Sequence, residues 1–278
     1  MTAAEPPARR RAVGALASGS ATLELHHHPG HDLYEGQRAA SADAARSMIP
    51  HLLALYPVSA VVDVGCGVGT WLAEFQRHGV REILGIDGDW VLRAEPDIAQ
   101  HCIVTMDLTA PQKVNRRFDL AVSLEVAEHL PSSAADRFVA YLVSLAPVVL
   151  FSAAIPLQGG TDHLNEQWPA YWAERFAAHS YQCFDVLRPI LWEQSGIAYY
   201  YIQNSFLYVA PDADPVLQSR LSELPTYTPP DSLPPSFVHP RKFLEAAGLT
   251  NIGIRPLLRA VPGSVGRFVR RRVAALHQ

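Results

Sequence analysis

Carboxylates stand at the ends of four apolar runs in the first half of this chain. Asp63 interrupts AVVDVG, Asp87 closes EILGID, Asp107 closes CIVTMD, and Glu125 follows FDLAVSL with Glu128 and His129 just behind it. Asp63 is followed by Gly65, Gly67 and Gly69. A β-branched run of this kind reads as a buried strand, and the glycines let the backbone turn tightly and approach a ligand before a helix begins near Thr70. Dinucleotide loops use G-x-G-x-x-G and set a pyrophosphate on the helix N-terminus. Here the spacing is G-x-G-x-G, and a carboxylate at the strand end repels a pyrophosphate but suits a cationic amino group. Asp87, about 20 residues beyond the loop and followed by Gly88, is where a ribose would find an acceptor for both hydroxyls. Any one of these aspartates reads equally well as a cap or a turn residue; their succession points to a single ligand.

The elements that must position them alternate strand and helix, as a parallel sheet requires. Gly79 ends a helix from Thr70 to His78. Ser133 and Asp136 form a capping-box pattern for a helix that Pro147 stops. VVLFSAAI is the fifth strand, and CFDVLRPILW and IAYYYIQNSFLYVA supply the last two, the final one antiparallel. Ahead of the core, Arg38 to Tyr56 reads as a helix interrupted by Pro50, with Met48, Ile49, Leu52 and Leu53 as its apolar face. The expected fold is α/β: a doubly wound, seven-stranded, mostly parallel sheet with an N-terminal helical and a C-terminal Pro-rich extension. The expected division is a disordered tail over 1–25, a helical cap over 26–57, the core over 58–210, and a Pro-rich and helical extension over 211–278.

A second polar concentration follows strand five. Pro156 to Trp168 carries Gln158, Asp162, His163, Asn165, Glu166 and Gln167, and in open α/β sheets ligands lie beyond the carboxyl ends of the strands. His163 is the first candidate for a proton acceptor, and His129 the second. For His163 an alternative stays open, in which it organises the loop by backbone hydrogen bonds, as does a structural role for His129. Trp168, Trp172 and Phe176 make a helical stripe facing the core. Gln203 and Asn204 would alternate faces on the last strand, so at most one can face the site. His26, His27 and His28, with His31, sit in a Pro/Gly-bounded loop. No cysteine or second cluster at ligand spacing accompanies them, so no metal site is assigned.

D-x-G-x-G-x-G at Asp63 to Gly69, with the later acidic positions in the same order, resembles class I S-adenosylmethionine (SAM)-dependent methyltransferases. The resemblance implies a Rossmann-like fold with SAM as cofactor. It implies Asp63, Gly65, Gly67 and Glu125 near the methionine moiety, Asp87 and Gly88 at the ribose, and Asp107 with the Leu108 backbone at the adenine. Glu128 then orients His129, and the leading helix lies over the cofactor with Tyr34 and Ser41. FSAAIPLQGGTDHLNEQWPAYW, VLRPILW and YYYIQN are similar to a bacterial subgroup of small-molecule, natural-product and glycan-pathway methyltransferases, although Ile202 stands where that subgroup often has a basic residue. The implied reaction is methyl transfer to a hydroxyl oxygen of a secondary metabolite or sugar with a histidine base. Alternatives are N-methylation of a small amine, or a non-methylating SAM-binding cyclase or binding protein; a nicotinamide oxidoreductase and an aminopropyl transferase fit the motifs less well.

The 278 residues are ample for such a core of about 150 to 200 residues plus flanks. A net charge of −4 and a pI near 6.3 offer no attraction to a phosphate backbone, and SLEVAEHL lacks the N/D-P-P-Y/F loop of base-amino methyltransferases, so nucleic acid is excluded as substrate. The longest apolar run, Leu142 to Ile155, is too short for a bilayer, and the N-terminus lacks an export-type apolar segment. Three scattered cysteines fit a reducing cytoplasm. Arg267, Arg270, Arg271 and Arg272 read as a solvated helix end. Oligomeric state is left open, a homodimer included.

Overall fold

The computed structural model describes residues 31–227, 229 and 232–247. The tail over 1–25, the histidines at 26–28, the side chains of His31 and Tyr34, Gly248 and the arginines beyond 266 lie outside the described part. Along the chain run α1 (His31–Leu53), β1 (Ala60–Val64), α2 (Thr70–Arg77), β2 (Glu82–Asp87), β3 (Ile103–Thr105), β4 (Leu120–Leu124), α3 (Ala135–Leu145) and β5 (Val148–Ser152). Then follow α4 (Pro169–Ala177), β6 (Gln182–Phe184), α5 (Arg188–Leu191), α6 (Tyr199–Asn204), β7 (Phe206–Val209), α7 (Pro215–Leu221), β8 (Thr226–Tyr227) and α8 (Pro240–Ala247).

The strands form one sheet in the order β3-β2-β1-β4-β5-β7-β6-β8. Pairings from β3 through β5 are parallel, and β7 runs antiparallel between β5 and β6. The expected mostly parallel, doubly wound sheet is present, and the two-residue β8 adds an eighth strand at the edge. Strand residues alternate between two apolar layers, as the pleat dictates. Val61, Leu120, Val122 and Leu150 pack with α1 and α2; Val62, Ala121, Val149 and Phe151 pack with α3 and α4 on the other face. Strand order reverses between β1 and β4, and the crevice at that switch point lies beyond their carboxyl ends. Asp63, Asp87 and Glu125 therefore meet there although they are far apart in sequence.

Several local expectations are corrected. Pro50 lies inside α1 and does not interrupt it; the missing N–H is tolerated because Met48, Ile49 and Leu52 are buried on either side of it and hold the last turn in the core. The capping box does not form: α3 starts after Ala134 with no side-chain cap, and a 3-10 turn over Ser132–Ala134 leads into it. Trp172 and Phe176 are core residues, whereas Trp168, just ahead of α4, is 40% exposed. The aromatic run YYYIQN is the helix α6 and not part of a strand, and RPIL forms the single turn α5. β7 spans only the four residues that pair with β5, so the chain upstream of it turns off the sheet and across its carboxyl end. Among the described residues no helix is long and apolar enough to cross a membrane.

Candidate functional site

A cavity of about 720 Å³ opens at the carboxyl ends of β1, β2 and β4. On one side it is walled by the glycine loop. Gly65 has φ +83°, and a Cβ there would run into the Val126 side chain, so both conformation and space demand glycine. Its N–H donates to the Ile86 carbonyl at 2.7 Å. The Asp87 carboxylate accepts from the Gly67 N–H at 2.7 Å, the Gly88 N–H at 2.6 Å and the Trp90 indole at 2.9 Å. Burial raises the pKa of Asp87, and these three donors oppose the rise. Asp63 has no comparable relief: burial, with the nearby Asp87 carboxylate second, pushes it up to about 8. Asp107 is exposed and holds Thr109 through its N–H and hydroxyl, both at 2.8 Å; Leu108 is half-buried beside it. Asp63, Gly65, Gly67, Asp87, Gly88, Asp107, Leu108 and Glu125 all line the one cavity. So does Ser41 of α1, whose hydroxyl lies 2.8 Å from that of Tyr201.

The facing wall is built from β4, the loop after β5, and α6. Glu125 has a left-handed backbone, φ +56°, held by its N–H donating to the Ser152 carbonyl (3.1 Å) and hydroxyl (3.0 Å). Its carboxylate accepts from the side-chain amides of Gln158 at 2.7 Å and Asn204 at 3.0 Å. Asn204 also donates to the Gln158 amide oxygen at 2.9 Å, and Gln203 donates to Asn204 at 2.9 Å. Burial raises the Glu125 pKa against these donors. Gln203 and Asn204 sit at the end of α6 and not on a strand; both enter this network from behind the cavity wall, and neither lines the cavity itself. The network is braced from the C-terminal segment: the His239 N–H donates to Gln203 at 2.7 Å, and Lys242 of α8 donates to the Gln158 carbonyl at 2.5 Å.

Glu128, His129 and His163 gather beside Glu125, with one ligand-type atom from each within 4.8 Å of the others. Glu128 is fully buried; no donor meets its carboxyl oxygens in good hydrogen-bond geometry, although the backbone N–H groups of Glu128 and Ala154 lie close enough to favour its charged form. Burial, and then the Glu125 charge, raise its pKa well above the ordinary carboxylate range. Its backbone carbonyl accepts from Leu164 (2.7 Å) and Asn165 (2.9 Å), which fastens the loop carrying His163 to the end of β4. The His163 Nδ1 lies 2.9 Å from Glu166 Oε1, and Glu166 also accepts from the N–H groups of Leu157 and Gly159 at 2.8 Å each. Against a burial cost, the His163 imidazole and those two N–H groups hold Glu166 below the usual carboxylate range. The His163 ring lies against Gly160, where a Cβ would strike it, and meets the His129 ring edge-on at 4.9 Å between centroids. His129 keeps an exposed edge at the cavity, and its partial desolvation there, followed by the neighbouring His163, lowers its pKa.

Sequence reasoning left Gln158, Gln203, Asn204 and Tyr201 without roles. The only signal for the last three was that a helix as well as a strand can accommodate YYYIQN, and aromatic content argued for the strand.

The family described as a methyltransferase domain matches residues 35–191. Among solved structures, the magnesium protoporphyrin IX methyltransferase of Synechocystis PCC 6803, determined with bound S-adenosylhomocysteine, is 19% identical at a TM-score of 0.47, covering 66% of this chain and 90% of that one. The SAM-bound amino pentose methyltransferase of Micromonospora echinaspora, involved in calicheamicin biosynthesis, is 21% identical at a TM-score of 0.36, covering 47% of this chain and 60% of that one. Curated protein sequences gave no match.

Proposed function

Starting from a chain that belongs to the methyltransferase-domain family, we propose that it methylates a hydroxyl oxygen of a small molecule, a secondary metabolite or sugar, with SAM as the donor. The observation that carries this reading is that one cavity is lined both by the carboxylates suited to SAM and by the Glu128–His129–His163 group. The residues fit the cofactor. Asp63 is a buried carboxyl that gains an ionic partner from an ammonium group, Asp87 is an acceptor for ribose hydroxyls, and Gly65, which has no room for a side chain beside Val126, lines the cavity with backbone alone. When bound, SAM supplies an electrophilic methyl group on a sulfonium that departs as a neutral thioether.

The chain's own part is orientation and proton removal. Glu166 on the Nδ1 side of His163 favours the tautomer whose Nε2 carries the free lone pair, and the acceptor hydroxyl gives its proton to that nitrogen. His129, kept neutral by its lowered pKa, is the second acceptor. Glu125, fixed by Gln158 and Asn204, is read as facing the amino-acid end of the cofactor. Residues 58–210 are read as the catalytic core, with 26–57 as its cap and 211–278 as an extension that braces the acceptor wall. Free Cys66, Cys102 and Cys183 suit a reducing cytoplasm.

Calorimetric titration with SAM, S-adenosylhomocysteine and NAD tests the reading. Saturable binding of the two adenosyl ligands alone is expected, followed by methyl acceptance from a panel of hydroxylated metabolites. NAD binding without adenosyl binding would overturn it, and acceptance by amines alone would move the acceptor atom to nitrogen.

A further inference from the structure

Glu128 poses a problem that methyl transfer does not by itself resolve. A carboxyl group buried to 0% exposure, with no well-formed hydrogen bond and only the backbone N–H groups of Glu128 and Ala154 close to it, carries a desolvation cost that folded proteins normally offset with a further partner. Besides the Glu125 carboxylate it has two imidazoles close by, and donor atoms of Glu128, His129 and His163 lie within 4.8 Å of one another. We propose that Glu128, His129 and His163 bind one divalent first-row transition-metal ion on the acceptor side of the cavity.

The geometry supports this in three ways. Ligand bonds of about 2.0 to 2.2 Å put adjacent donor atoms about 3 Å apart, so small side-chain rotations close the present spacing around an ion. Glu166 already occupies Nδ1 of His163 at 2.9 Å, leaving Nε2 as the ligand atom. A carboxylate on the far nitrogen is the usual outer support of a metal-bound histidine. Leu164 and Asn165 donate to the Glu128 carbonyl, so the two chain segments that supply the ligands are fastened together without the ion. Two nitrogens and one carboxylate are softer than the all-oxygen shells of magnesium and calcium, and three protein ligands leave positions for water and substrate.

The use of the ion rests on the methyl-transfer reading and deepens it. With the ion bound, an acceptor hydroxyl on it ionises more readily and its proton passes to water, the imidazoles being ligands; direct transfer of the proton to His163 is the route of the ion-free site.

The full-length chain is stripped with chelator and titrated with Mn²⁺ by calorimetry and electron paramagnetic resonance, with SAM titrated in parallel. One Mn²⁺ site per chain is expected, lost in Glu128→Gln and His163→Ala. In Glu166→Gln, which keeps all three ligands and guards against misfolding of the other variants, binding weakens about 10- to 100-fold. His51→Ala, remote on α1, leaves it unchanged. No saturable uptake, or uptake that survives Glu128→Gln, overturns the proposal; the latter belongs to another site such as the His26–His28 run. SAM binding without Mn²⁺ binding sinks the metal site and leaves methyl transfer standing. Cluster-dependent Mn²⁺ binding without SAM binding does the reverse.

Discussion

The two walls of the cavity each hold a pair of neighbouring carboxyl groups and treat them differently. On the cofactor side Asp63 lies near Asp87, whose charge is met by the Gly67 and Gly88 N–H groups and the Trp90 indole. On the acceptor side Glu128 lies near Glu125, whose charge is met by the amides of Gln158 and Asn204. The first set of donors is mainly backbone and comes from within 20 residues; the second is side chain and comes from 33 and 79 residues away. The cofactor wall is thus a property of one glycine loop and the strand beside it. The acceptor wall exists only once distant segments have docked, and it can be dismantled separately.

Gly160→Ala should separate the walls with the largest effect. The three atoms nearest to the added Cβ all belong to the His163 ring, and the Gly160 backbone is not in the left-handed region, so the ring is what must move. Turnover should fall by about 10²- to 10⁴-fold, the usual worth of a positioned acid–base group, while SAM affinity measured by calorimetry stays at the wild-type value. Equal loss of both would mean that the walls form one cooperative unit.

Asp87→Ala is the converse experiment and the next in size. Each lost hydrogen bond from a ribose hydroxyl to a charged acceptor costs about 1.5 to 3 kcal/mol, so SAM binding should weaken by at least about tenfold while far-ultraviolet circular dichroism stays unchanged. Unchanged affinity would remove Asp87 from the cofactor wall.

The same contrast decides what was legible in the sequence. The order Asp63, Asp87, Asp107, Glu125 and the glycines between them announce strands, turns and a ligand because each signal is local. The sheet follows, since buried parallel strands read as apolar runs. The acceptor wall depends on where chain segments meet. Three tyrosines ahead of Ile202 carry strand propensity, yet they fold as α6 because β7 uses only Phe206–Val209 against β5. Tyr201 then reaches Ser41 of α1, a partner 160 residues away. Nothing between Glu125 and Asn204 in sequence signals their 3.0 Å contact. Ser133 shows the opposite failure: a local pattern was legible, but a 3-10 turn satisfied the helix start first.

The smallest expected effect concerns the proton on Asp63. Its folded pKa is raised from 3.8 to about 8, so the fold holds this proton more tightly than the unfolded chain does. The group therefore costs no stability at low pH, and its burial penalty grows as pH rises from about 4 to about 8. A bound ammonium group favours the carboxylate and reverses this, so at neutral pH cofactor binding must expel the proton. SAM affinity should then increase with pH between about 6 and 7.5, by no more than about tenfold per unit. Calorimetry in two buffers of different ionisation heat should register up to one proton released per SAM. Asp63→Asn should abolish both the slope and the release, whereas Asp107→Asn, at an exposed carboxylate, should abolish neither. A flat profile with no proton released would mean that Asp63 is already ionised in the free protein. The cofactor wall would then be charged before its ligand arrives.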